Sequence, residues 1–234
     1  MVLGNVKIEL VQKGIKNLHL SVLPPYGHVR ISAPLHLSNE TIRLYAISKL
    51  PWIKLQQQKI RNQERESPRE FTNRETHFFH GRKYLLRIIE RDAPAGVIVN
   101  SKYLDLYVRP NTSPSSRQRI VEDWYRKEMK TLIPPYIKKW EKIIPVKVRE
   151  VSIKQMKTHW GTCNIEAKRI WLNLELAKKP LRCLEYILVH EMVHLLERHH
   201  NDRFMAYLDK YMPQWKSRKD ELNRLPICHP LWTY

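Results

Sequence analysis

Long apolar runs are missing from this chain. No stretch approaches the roughly 18 apolar residues of a membrane-spanning helix, although 42% of the residues are hydrophobic, ample for a core. Cysteine is also scarce. Only Cys163, Cys183 and Cys228 occur, widely spaced and odd in number. That argues against a disulfide framework or a four-cysteine zinc site and predicts a reducing, cytoplasmic setting. Met1 to Lys7 holds no basic segment followed by an apolar one, so no secretory signal is expected. Acidic side chains are few, with Asp plus Glu 23 against Lys plus Arg 42 and a formal net charge of +19. Such an excess favours anionic partners, nucleic acid or nucleotides among them. Part of it is concentrated: Arg126 to Lys157 carries ten basic residues and three acidic ones. No helix-turn-helix, zinc-finger or RNA-recognition signature accompanies the charge, so a solvated face is an equal reading of it.

What the chain does have is a stretch of concentrated chemistry from Leu181 to Phe204. At its centre lies His190-Glu191-Met192-Val193-His194, an H-E-x-x-H pattern. On an α-helix each residue advances by about 100°, so His190 and His194 share a face one turn apart and can bind the same ion. Glu191, beside them, can accept a proton from a metal-bound water. Zinc is the expected metal for such nitrogen ligands, and it brings the pKa of bound water to roughly 7. Leu184, Ile187, Leu188, Val189, Met192 and Val193 make the helix apolar on nearly all sides, as in a buried helix. Two histidines and a glutamate there are costly without partners.

A catalytic zinc site needs a third protein ligand, and four residues compete for the place. His200 follows His194 by six residues, the spacing of H-E-x-x-H-x-x-G-x-x-H, in which the chain leaves the helix and turns back to the metal. Glu197 stands where that pattern has glycine, so the helix must end by other means. Glu197 itself could reach the metal if the helix continued, and His199 is one residue nearer than expected. Asp202 suits the N-cap of a following helix beginning at Arg203. His200 is favoured over His199 and Glu197.

His159-Trp160-Gly161-Thr162-Cys163-Asn164, Arg169 to Leu176, the H-E-x-x-H helix and His200-Asn201-Asp202-Arg203-Phe204 together resemble the YgjP-like metallopeptidase family, a relative of the SprT-like and WLM zinc peptidases. The resemblance is close over the C-terminal half and looser over the whole chain. It implies a compact zincin fold, with zinc held by His190, His194 and His200 and Glu191 as general base. His159 and Thr162 stand where that family generally has Arg and Ser, which puts any substrate contact by that Arg in doubt here.

The rest of the chain reads as α+β. Val6 to Val11, Leu18 to Val22 and Val29 to Ala33 alternate as half-buried strands do, with a turn at Pro24-Pro25. Leu37 to Arg61 is helical, capped by Ser38 or Asn39 and divided near Pro51. Tyr84 to Ile89, Gly96 to Val99 and Leu104 to Val108 form a second strand group, which could share one sheet with the first. Pro110 to Ser116 is the strongest linker candidate. Residues 1–112 are thus expected to form a mainly antiparallel β region with a helix, and 113–234 a zincin-like domain with a small sheet. Arg117 to Leu132 should be a helix interrupted at Pro134-Pro135, and Tyr136 to Ile144 a second one. Val146 to Ile153 and Arg169 to Leu174 read as strands, either of which could hold an extended peptide along an edge. Phe204, Leu208 and Met212 fall at helical spacing and read as core. His77, His80 and His229 are treated as incidental, Cys163 as a packed thiol near the Trp-Gly turn, and His159 as a speculative oxyanion donor.

The expected function is zinc-dependent hydrolysis of peptide or protein substrates. Two alternatives stand beside it: a metal-dependent nucleoside-triphosphate phosphohydrolase, and a nucleic-acid-associated module acting on DNA-bound proteins.

Overall fold

The computed structural model describes residues 1–23, 26–62, 69–156 and 159–226, so the Pro24-Pro25 turn, Cys228 and His229 fall outside it. The chain separates into two units, one within residues 1–66 and the other within 67–228.

In the first unit, β1 (Val2–Leu3), β2 (Val6–Lys13), β3 (His19–Leu23) and β4 (His28–Pro34) lie in the order β1-β2-β4-β3. Val6, Ile8, Val29, Ile31 and Ala33, two apart along their strands, face one side. They form one core with Ile42 and Ala46 of α1 (Asn39–Ser48) and Ile53 of α2 (Leu50–Asn62). Ser38 caps α1, its hydroxyl accepting the Thr41 N–H at 3.2 Å. The helical stretch divides just before Pro51. This leaves Pro51 in the first turn of α2, where a missing N–H costs no helical bond.

The second unit opens with β5 (Thr76–Phe79), β6 (Arg82–Glu90), β7 (Gly96–Val99) and β8 (Tyr103–Val108), in the order β5-β6-β8-β7. The two strand groups are therefore separate sheets of the same topology, mixed, with two of the three pairings in each antiparallel. Each has a parallel central pair, β2 with β4 and β6 with β8, flanked by antiparallel neighbours. Period-two alternation shows which face is apolar and leaves strand direction open.

Nor does the chain divide at 112/113. Leu86, Leu104, Leu106 and Val108 share a core with Val121, Tyr125 and Met129 of α3 (Pro114–Trp140), which ties the second sheet to the C-terminal half. Pro110 to Ser116 is the capped entry to α3. Ser113 Oγ accepts the Ser116 N–H at 3.3 Å, and Pro114 takes the first helical position. α3 also runs unbroken through Pro134 and Pro135. Lys130 and Thr131, whose carbonyls lose their helical donors there, are exposed, so water can replace the bonds. Burial of Ile133 and Trp140 on either side holds the helix together.

A third sheet follows, in the order β10-β11-β9: β9 (Glu150–Lys154) and β11 (Arg169–Asn173) are parallel, and β10 (Gly161–Asn164) lies antiparallel on the outside. A 3-10 turn (Leu174–Lys178) leads to α4 (Leu181–Val193), α5 (Asp202–Tyr211) and α6 (Trp215–Arg224). The whole is an α+β protein of small mixed sheets. Among the described residues, no helix is long and apolar enough to cross a membrane. The β5–β6 hairpin turns on His80 and Gly81, both with positive φ, as its tight geometry requires. A Cβ at Gly81 would lie 2.7 Å from Pro180 Cγ, so the glycine lets this turn press against the start of α4.

α4 is buried along almost its whole length, Glu185 included. The Glu185 carboxylate accepts from Lys139 Nζ at 2.6 Å, Trp140 Nε1 at 3.1 Å and Arg218 Nη1 at 2.6 Å, joining α3, α4 and α6. Burial raises its pKa, but the bonds from Lys139 and Arg218 outweigh burial and hold it below the ordinary range. The stabilisation is therefore complete above about pH 4.3 and is lost as pH falls through the depressed folded value. Glu185→Gln is expected to lower stability by about 1–3 kcal/mol at pH 7, read from the urea midpoint. The gap to wild type should close below about pH 4; a gap independent of pH would remove charge from the explanation.

Candidate metal centre

His190 and Glu191 occupy the last turn of α4, and His194 caps it with a backbone still near helical values, φ −62° and ψ −20°. Without the glycine of the longer motif, the helix ends by tightening. The Leu195 N–H bonds Met192 O at 3.1 Å, and the Leu196 N–H bonds Val193 O at 2.9 Å, the short-loop pattern of a helix exit. The Glu197 carboxylate accepts the His199 N–H at 3.1 Å, so it serves the turn. Asn201 then caps α5, its side chain accepting the Phe204 N–H at 3.0 Å. Asp202, expected as that cap, is instead the first residue of the helix.

This turn carries His200 back to α4. His200 Nε2 lies 3.0 Å from His190 Nε2, and ligand atoms of His190, His194 and His200 all lie within 4.8 Å of one another. Neither His199 nor Glu197 belongs to this cluster. Phe204, fully buried, packs against all three rings, with centroid distances of 4.9, 4.7 and 4.8 Å to His190, His194 and His200. Tyr186 meets His190 edge-on at 5.9 Å.

The donor chemistry fits a metal. Burial, with His194 and His200 close by, pushes the His190 pKa down to about 3. Burial lowers His194 and His200 as well, so the rings are neutral near pH 7 and offer lone pairs. His194 Nδ1 lies 3.1 Å from the Glu197 carbonyl. A proton on Nδ1 satisfies that carbonyl and frees Nε2, the tautomer a ligand needs. His190 differs: its Nδ1 is buried with no partner among the described residues, and packing by Tyr186 and Phe204 sets the ring in place.

Glu191 lies beside these rings with only 5% exposure, and burial pushes its carboxyl up to about 8. Across from it runs β10. A Cβ at Gly161 would stand 2.7 Å from Glu191 Oε1 and 2.8 Å from its Cγ, so only glycine fits without displacing the carboxylate. The approach to β10 is fixed by Asn173, whose Nδ2 donates to Met156 O at 2.9 Å and His159 O at 2.8 Å, while its backbone N–H bonds Trp160 O at 2.9 Å.

Between α4 and β10 opens a cleft of about 970 Å³. His159 and Cys163 line it, as do Arg198 and Lys219. Burial, with Glu191 nearby, pushes the Cys163 thiol up to about 12, so it stays protonated. Burial likewise raises Tyr186 to about 12. His77 lies apart from the trio, 2.9 Å from Glu75, and His80 stacks on Phe79. Gly161, Tyr186 and Phe204 had no assigned part in the site on sequence grounds. Tyr186 is four residues before His190, so helical spacing could have placed it there. Phe204 looked like ordinary core, and nothing local marked Lys219.

A family model described as YgjP-like, metallopeptidase domain, matches residues 16–225. The chain therefore belongs to the YgjP-like family, and membership implies a metal-dependent peptidase. Among curated proteins, none matches the sequence.

Gly161→Ala is expected to push the Glu191 carboxylate aside. Metal-dependent hydrolysis should fall at least tenfold, roughly the effect of misplacing a catalytic group, with metal content unchanged. Wild-type activity in the variant would show that β10 does not constrain Glu191.

Proposed function

We propose that this YgjP-like protein is a zinc-dependent peptidase whose metal is held by His190, His194 and His200 and whose general base is Glu191. The observation that carries this reading is the convergence of three neutral imidazoles within 4.8 Å, beside a buried carboxylate and facing a cleft. Zinc, when bound, supplies the Lewis acidity that makes water reactive near neutral pH and polarises a carbonyl. The protein's own groups do the rest. Glu191, whose ionised form the charge of a bound cation would favour, accepts the proton of the attacking water at a carboxylate oxygen. As the water oxygen bonds to the carbonyl carbon and the C–N bond breaks, the same oxygen delivers that proton to the leaving nitrogen.

A zincin-like arrangement accounts for where substrate would lie. β11 is the central strand of its sheet, and β10 is the edge that lines the cleft. An extended peptide along β10 would gain main-chain hydrogen bonds whatever its side chains. The expected substrate-binding edge thus moves from β9 or β11 to β10, in the stretch that reads locally as a turn. Arg198 and Lys219 give the cleft a cationic wall that also suits a phosphate chain, so nucleoside-triphosphate hydrolysis is the second reading. A free strand edge beside Glu191 favours peptides.

Glu191→Gln keeps the shape of the side chain and removes its basicity. It is expected to retain zinc and lose at least 100-fold in peptide hydrolysis, in the range of general-base catalysis. A nucleotide panel run beside the peptides would show phosphate release in place of peptide cleavage if the second reading holds. Undiminished peptide cleavage by the variant would take Glu191 out of the mechanism.

A further inference from the structure

The outer face of the β5–β8 sheet interleaves aromatic and cationic side chains. In-register pairing places Phe78 opposite Lys83 and Ile98 opposite Asp105. It also sets Leu85, Arg87 and Ile89 beside Tyr103, Asp105 and Tyr107, so all of these share one face. Leu86, Leu104 and Leu106 point to the opposite, buried side. On the outer face each aromatic ring is paired with a cation. Lys83 Nζ stands 5.9 Å from the Phe78 ring centroid, the Arg87 guanidinium 4.8 Å from Tyr103, and the Arg91 guanidinium 4.0 Å from Tyr107.

The only acid on these alternating positions is Asp105, with a side chain 1% exposed. Arg87 meets it with both Nε and Nη2 at 2.7 Å, and Asn100 Nδ2 also donates to it. This fork holds the Arg87 guanidinium in one orientation over Tyr103 and balances the buried charge. Lys83 and Arg91 remain as net positive charge. The face still presents Tyr103 at 37% exposure and Ile98 at 51%. It is therefore aromatic and cationic, with no exposed carboxylate at these positions.

We infer that this face binds single-stranded nucleic acid, with bases stacking on the tyrosine rings and guanidinium planes and phosphates meeting Lys83 and Arg91. Stacking on aromatic and guanidinium surfaces is available only to unpaired bases, which excludes a duplex as the preferred ligand. Tyr103 and Tyr107 lie about 13 Å apart along β8 at 3.3 Å per residue, so they serve separate bases. An acidic peptide matches the charge but has no aromatic bases to stack on the two tyrosines.

The test is fluorescence anisotropy of the full chain with a labelled oligothymidylate, beside its duplex and an acidic peptide of equal charge. The variants are the double changes Tyr103→Phe with Tyr107→Phe, and Tyr103→Leu with Tyr107→Leu. Both pairs keep apolar cover on the sheet, and only the first keeps the rings. The Phe pair should bind as wild type, and the Leu pair at least tenfold more weakly with an unchanged salt slope. Arg91→Gln should make that slope shallower by about 0.7, one phosphate contact on a single strand. Equal binding by the Phe and Leu pairs, or no binding by wild type at low salt, would overturn the inference. Tighter binding of the duplex would overturn it too. Tighter binding of the acidic peptide, lost in the Leu pair, would make this a protein-docking face instead.

Discussion

The rest of the second unit depends on the burial of α4. A helix enclosed on nearly every side gives its apolar residues a large stabilising contribution, and it imposes strict terms on every polar group it carries. Each such group here answers those terms differently. Glu185 stays ionised because Lys139, Trp140 and Arg218 surround it. His190 and His194 are held neutral. Among the described residues Glu191 receives no such cluster of donors, and burial raises its proton affinity. One physical constraint thus sorts four titratable side chains along one helix and its cap by the charge each can carry.

The opposite wall of the cleft depends on close backbone approach. Asn173 gathers the carbonyls of Met156 and His159 and the start of β10, and Gly161 lets that strand reach Glu191. The tight hairpin at Gly81, set against Pro180, fixes where α4 begins. Position in this site is therefore controlled by small residues and buried amides at its margins as much as by the groups that would carry the chemistry.

Much of the candidate site was legible in the sequence, because the relevant rules are local. Helical spacing puts His190 and His194 together, and six residues suffice for the chain to turn back with His200. The Trp160-Gly161 stretch reads as a turn, whereas Gly161 opens the edge strand β10. What escaped the sequence was set by tertiary context. Strand direction has no period of its own, so the parallel pair at the centre of each of the first two sheets is not legible in the sequence. Pro134 and Pro135 looked like a break, but the carbonyls they deprive belong to exposed residues. Pro110 to Ser116 looked like a linker because its composition is that of any capped helix entry. Phe204 looked like core, and is core, yet its ring touches all three histidines.

The central claim is that three histidines hold one catalytic zinc, and the most direct measurement is zinc stoichiometry of the purified protein, wild type beside His200→Ala. The expected result is one tightly held zinc per wild-type chain and a clear loss in the variant. Full zinc in His200→Ala would contradict the three-histidine site. A wild-type chain that takes up no zinc even when supplied with it would contradict the metal centre altogether.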